Sequence, residues 1–216
     1  MSDEDWAAAT AAHRRGDHEA LLQIFRRLAD LGDARAEDNL GVLYETGRGV
    51  PKNYAEALKW YRRAADRGEA NAQNNLGVMH EMGHGVAKNP AEAVKWYRLA
   101  ADQGDANAQH NLGNAYECGQ GVPQDYAEAV AWFAKAADQG HAMAQANLGV
   151  MFEHGHGVPE DLVEAQKWFI LSASNFPASE AKSLGIATRN RNELAAKMTS
   201  TQIAEAKKRA RAWARK

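Results

Sequence analysis

The chain is poor in several residues and features that would point to a particular function. It holds one cysteine, Cys118, in 216 residues, which excludes an internal disulfide and any zinc site built from several thiolates. No apolar run approaches the roughly 20 residues that cross a bilayer. The start, Met-Ser-Asp-Glu-Asp, is acidic and leads into no apolar stretch, so no secretory signal is expected. Proline is scarce, at 5 residues, and the formal net charge is only −2, which argues against generic nucleic-acid binding. With 45% hydrophobic and 25% charged residues the composition is that of a folded protein.

The chain does have a period. Ala-x-x-x-Leu-Gly recurs at Ala36-Leu40-Gly41, Ala72-Leu76-Gly77, Ala108-Leu112-Gly113 and Ala144-Leu148-Gly149, a step of 36 residues each time. Trp60, Trp96, Trp132 and Trp168 keep the same step, and 16 of the 18 glycines lie on the lattice. A fixed period of this length marks a repeat architecture.

Each unit reads as two helices. The first runs from about Ala34 to Thr46, with Ala36, Leu40, Leu43 and Tyr44 on one face. Gly47 fits a left-handed cap, and Pro51 prevents continuation. The second opens at Asn53 with Glu56 three residues on, the pattern of a capping box, repeated as Asn89/Glu92, Asp125/Glu128 and Asp161/Glu164. Ala57, Trp60, Tyr61 and Ala64 form its buried stripe. A two-helix unit cannot bury its apolar face alone, so neighbours must stack. The expected fold is all-α: a right-handed α/α solenoid of 36-residue repeats at residues 32–67, 68–103, 104–139 and 140–175. Residues 1–31 form a degenerate capping repeat, with Ile24 and Phe25 at the Trp and Tyr positions. Residues 176–216 supply capping helices: one from about Ala178 to Lys197, and a last one opening at Thr199 with Gln202 as capping partner.

The repeated unit, from Ala-x-x-Asn-Leu-Gly through Glu-x-Gly-x-Gly-Val to Trp-Tyr/Phe-x-x-Ala-Ala, resembles the Sel1-like repeat family, a subclass of tetratricopeptide-like solenoids. The segment from Leu194 through Gln202 to Ala206 is similar to the C-terminal cap of bacterial members. Departures are Ala87 for the loop proline, His80 for the first-helix aromatic, and Ser172-Ala173-Ser174 for the last Ala-Ala. The resemblance implies a non-enzymatic adaptor that assembles protein complexes. Some members carry one disulfide per repeat; their absence here is consistent with a reducing, cytoplasmic location.

A partner segment is expected in the concave groove lined by the first helices. The positions facing away from Leu40 supply the candidates Arg35, Asp38, Asn39, Asn71, Asn74, Asn75, Asn107, His110, Asn111, Asn114, Asn147 and His154, beside Val42, Val78, Met82, Cys118, Met143 and Val150. Two roles are open to the fixed asparagines 39, 75, 111 and 147: hydrogen bonding to an extended peptide, or holding adjacent units together. No catalytic group, cofactor or metal site is expected. His84 and His156 fill the middle of Gly-x-Gly, where Arg48 and Gln120 stand in other repeats, so the ligand set lacks a common face. Ser179-Glu-Ala-Lys182 lacks the companion motifs of a serine acyl-enzyme. The last ten residues carry +6, including Lys207, Lys208, Arg209 and Arg211. Those charges favour a helix C-terminus, and offer a second route, to an acidic partner, an anionic membrane or nucleic acid.

Overall fold

A computed structural model describes residues 3–214, and the chain divides into two compact units, Met1–Asp105 and Ala106–Lys216. Unit 1 holds α1 (Asp3–Arg15), α2 (His18–Asp30), α3 (Ala34–Thr46), α4 (Tyr54–Asp66), α5 (Ala70–Met82) and α6 (Pro90–Asp102). Unit 2 holds α7 (Ala106–Cys118), α8 (Tyr126–Asp138), α9 (Ala142–His154), α10 (Leu162–Asn175), a 3-10 turn at Ala178–Glu180, α11 (Ala181–Ala196) and α12 (Ser200–Trp213). There is no strand among the described residues.

The caps follow the lattice. Asn53 accepts from the backbone N–H of Ala55 and Glu56, and Asp125 and Asp161 repeat this geometry. The acids three residues on do not reach back as a reciprocal box requires. Glu56, Glu92 and Glu164 turn forward to Lys59, Lys95 and Lys167, at 2.6, 2.9 and 2.9 Å. The reciprocal box forms at Thr199 and Gln202, which start α12. Gly47 ends α3 at φ +74°, the left-handed conformation that costs glycine least. Gly49 turns the loop against α2: a Cβ there would stand 2.8 Å from the His18 carbonyl oxygen.

The core differs in one respect from its expected form. Tyr61, Tyr97, Phe133 and Phe169 are fully buried and form the centre of each helix pair. The tryptophans sit at its margin. Trp132 and Trp168 are buried, whereas Trp60 and Trp96 are half-buried under the guanidinium groups of Arg63 and Arg62, at 4.6 and 4.8 Å. The planar cation covers the ring face that the helices leave open.

Side-chain amides run through both units. Gln103 donates to Gln73 at 2.7 Å, Gln139 to Gln109 at 2.8 Å and Asn175 to Gln145 at 2.9 Å. The Nε2 groups of Gln73 and Gln145 also donate to the carbonyls of Ala65 and Ala137 at the end of the preceding helix. One buried amide thus ties three helices and satisfies a helix-terminal carbonyl. In the first repeat the same register holds Glu37 and Arg67.

Candidate functional site

The first helices of the repeats present position 35 and its equivalents to solvent. Arg35, Asn71, Asn107 and Met143 are all exposed. Arg35 lies 4.5 Å over the Trp6 ring and 3.3 Å from Asp33, so the N-terminal cap holds it. Asn71 donates to Glu69 at 3.1 Å. At the helix ends Thr46, Met82, Cys118 and His154 are exposed, and His154 Nδ1 sits 3.0 Å from the Val150 carbonyl.

Position 38 is different. Asp38, Asn74 and His110 are buried, so these side chains are not presented on the surface of the first helices. Their variety along the chain reflects the joint between repeats. Asn75 donates to Asp38 at 2.9 Å; Asn147 donates to Asn114 at 2.9 Å and approaches His110 Nε2 to 3.5 Å. Asn114 lies 3.3 Å from the same His110 nitrogen. Asn39 donates to the Arg35 carbonyl in its own helix, at 2.7 Å. The asparagines at 39, 75, 111 and 147 are half-buried, and in the two joints just described Asn75 and Asn147 bond to the preceding repeat of the same unit. Burial, with the His141 ring stacked at 4.7 Å, pushes the His110 imidazole down to about 4. The ring is neutral near pH 7, and its Nε2 accepts from the amides.

Asp38 carries a cost. Burial pushes its carboxyl up to about 6 against the Asn75 hydrogen bond, and Glu69, Glu45 and Asp105 push the same way. A carboxyl raised above its unfolded value binds more protons folded than unfolded across that window, so stability falls as pH rises from about 4 to about 6. Asn74 fills this register in the next repeat, so an amide fits. Asp38→Asn keeps the acceptor for Asn75 and is expected to stabilise the protein by about 2 kcal/mol at neutral pH. Denaturation at pH about 4 and about 7 checks this: the wild type must lose stability between them relative to the variant.

Each unit holds a cleft of its own. In unit 2, α9 and α11 enclose an apolar slot of about 180 Å³ lined by Met143, Ala146, Asn147, Val150, Ile186 and Ala187. In unit 1, α1, α2 and α3 enclose a cleft of about 230 Å³. The sequence placed Met143, Asn147 and Val150 on the binding face; it missed Ile186, because α11 stands off the 36-residue lattice and offers no register.

The remaining candidates fall into place locally. His84 and His156 stack on Tyr54 and Tyr126 at 4.2 and 4.8 Å, which is what the middle residue of Gly-x-Gly does in those loops. Among the described residues no group of three His, Cys, Asp or Glu side chains is arranged to hold a metal ion. No described helix is long and apolar enough to cross a membrane. Of the basic tail, Arg209 ties α12 to α10 through Glu164 at 2.7 Å and pairs within α12 with Glu205 at 3.1 Å, and Lys208 stands 3.5 Å from Glu205. Lys207 and Arg211 face solvent; Arg215 and Lys216 lie outside the described residues. Trp213 packs edge-on against Trp168 and donates to Asp138 at 3.3 Å, so it is part of the cap.

A family model of the Sel1 repeat matches residues 34–69, 70–105, 106–141 and 142–175. No curated protein matches the sequence. Among solved structures, a Sel1 repeat protein from Oxalobacter formigenes is 31% identical, with a TM-score of 0.77 over 97% of this chain and 84% of its own. The c5321 protective antigen of uropathogenic Escherichia coli is 30% identical with a TM-score of 0.57; the match covers 89% of this chain but 48% of the antigen. The immunity protein Pa5087 from Pseudomonas aeruginosa shares the fold at 21% identity, with a TM-score of 0.58 over 90% of this chain and 83% of its own. The chain belongs to the Sel1 repeat family, whose solenoids generally mediate protein–protein interaction and are generally non-catalytic.

Proposed function

We propose that the chain is an adaptor that binds a segment of a partner protein on the face made by the first helices of its repeats. The apolar slot between α9 and α11 carries this reading. Met143 and Ile186 are each 49% exposed and line the same slot; large apolar side chains gathered in a cleft mark a contact surface more than scattered ones do. Asn147, Ser183 and Asn190 line the slot beside them and offer donors and acceptors to a peptide backbone. An apolar side chain of the segment fills the slot, and the exposed residues of unit 2 at the equivalents of positions 35 and 46, Asn107, Met143, Cys118 and His154, set its preferences. The lone cysteine fits work in a reducing compartment such as the cytoplasm.

Panning random peptides against the whole chain tests the reading. Enriched peptides are expected to share a large apolar residue and to lose roughly tenfold or more in affinity to the Met143→Glu/Ile186→Glu double variant. Both side chains are half exposed, so its thermal melt should match the wild type. Peptides that bind the variant equally would defeat the reading. If their binding also collapses between about 50 and 200 mM salt and is lost in Lys207→Glu/Arg211→Glu, the outer face of α12 is the site.

A further inference from the structure

The cleft in unit 1 has a lining of its own kind. Trp6 on α1, Leu21 and Phe25 on α2, and Val42 on α3 give it apolar walls around about 230 Å³. A dry apolar cavity of about 150 Å³ holds a benzene ring, so this one takes an aromatic or branched alkyl group. The other lining residues include His13, His18 and Arg48, and no carboxylate is among them. The Arg48 backbone N–H donates to the Leu43 carbonyl, but its guanidinium forms no ion pair or hydrogen bond with any described residue. His18 Nδ1 is buried and has no hydrogen-bond partner, a state that costs stability when nothing satisfies the group.

The loop between α3 and α4 fixes this arrangement. In the second and fourth repeats its middle residue is His84 or His156, stacked on the tyrosine that opens the preceding second helix. In the first repeat the loop packs by Gly49 on His18, and its middle residue is Arg48. Arg48, with its unpaired guanidinium, and His18, with its unsatisfied imidazole nitrogen, are thus lining residues of one apolar cleft. A carboxylate answers both, since it accepts bidentately from arginine and accepts from an imidazole N–H.

We propose that this cleft binds an apolar carboxylate, with its aromatic or branched alkyl group among Trp6, Phe25 and Val42 and its carboxylate at Arg48 and His18. Two molecules offer that chemistry: a free aromatic acid, and the C-terminal residue of a polypeptide. The site stands on its own lining and does not depend on peptide binding in unit 2.

Calorimetric titration of the full chain with indole-3-acetate and with its neutral isostere, indole-3-acetamide, tests the proposal. The acid is expected to bind roughly tenfold or more tightly than the amide. Arg48→Gln, at an exposed position, should erase that difference while the amide still binds. Val42→Phe fills the cleft and should abolish binding of both probes, with an unchanged thermal melt showing that the fold is intact. Equal binding of acid and amide, no binding of either, or binding that persists in both variants overturns the proposal. A tripeptide ending in tryptophan, titrated with free and with amidated C-terminus, separates the sources. Binding of the free form alone identifies a polypeptide end; binding of indole-3-acetate without either tripeptide identifies a free acid.

Discussion

Gly113→Ala is expected to destabilise unit 2 by about 2–4 kcal/mol, although alanine is the better helix former. Gly113 lies inside α7, where exchanging glycine for alanine normally gains about 1 kcal/mol. A Cβ at this position would stand 2.5 Å from both Cδ1 and Cε1 of Phe133. Phe133 is fully buried among Ala129, Ala136, Ala144 and Leu148, so the ring has no room to yield. Overpacking of this kind costs about 1–3 kcal/mol and sometimes more. A loss of that size lowers the melting temperature by roughly 5–12 °C in a chain of this length. Gly185→Ala is the control. It lies inside α11 with nothing within 4 Å of its would-be Cβ, so the same exchange should stabilise by about 0.5–1 kcal/mol. Thermal and urea denaturation of the two variants should give opposite signs. A stabilised Gly113→Ala would mean that the close helix–ring approach does not determine the register.

That contrast shows what the period conveys. Gly41, Gly77, Gly113 and Gly149 recur because a ring presses on each of them, and Gly185 is off the lattice because nothing does. Helix limits, caps and turns were legible for the same reason: each rests on contacts inside a repeat or at a fixed step to the preceding one, copied along the lattice. α3 runs over Ala34–Thr46, as its apolar spacing requires. The site was less legible, because it depends on how helices from different repeats and caps meet. Asp38, Asn74 and His110 look like a variable reading surface in sequence and are buried in the structure. Asparagine at position 39 meets a different partner from repeat to repeat: a backbone carbonyl for Asn39, Asp38 for Asn75, Asn114 for Asn147. Ile186 and Trp6 belong to caps that keep no register with the repeats, so no spacing announces that they line clefts. For the same reason, an alanine scan of the inner face that includes Asn74 or His110 would mix lost packing with lost binding. Substitutions at Met143 and Ile186 avoid that.

The Glu37 site shows how the same lattice can exchange charge for amide. Glu37 is fully buried. Arg63 donates to its Oε1 at 2.9 Å, and Arg67 Nε stands 3.3 Å from Oε2 in an ion-pair contact without hydrogen-bond alignment. Both arginines are about half exposed, so the pair is anchored at one end in the core and wetted at the other. In the other three repeats a glutamine accepts from a glutamine or asparagine 30 residues on. A carboxylate cannot donate to the preceding helix as Gln73 and Gln145 do, so the first repeat replaces that bond with two cations. Arg63→Ala/Arg67→Ala is therefore expected to cost about 3–5 kcal/mol, because it leaves a buried carboxylate without a counter-charge. Glu37→Gln/Arg67→Gln instead recreates the pairing of the second repeat, and should remain within about 1 kcal/mol of the wild type. Urea unfolding at neutral pH measures both. A cost of under 1 kcal/mol for the arginine pair would show that water reaches Glu37 in the folded protein. An equal cost for both double variants would show that shape and not charge decides this register. The expected ordering makes the arginines necessary only because the acid is there, and it makes the three amide pairs and the single acid with its two arginines alternative solutions to the same buried joint.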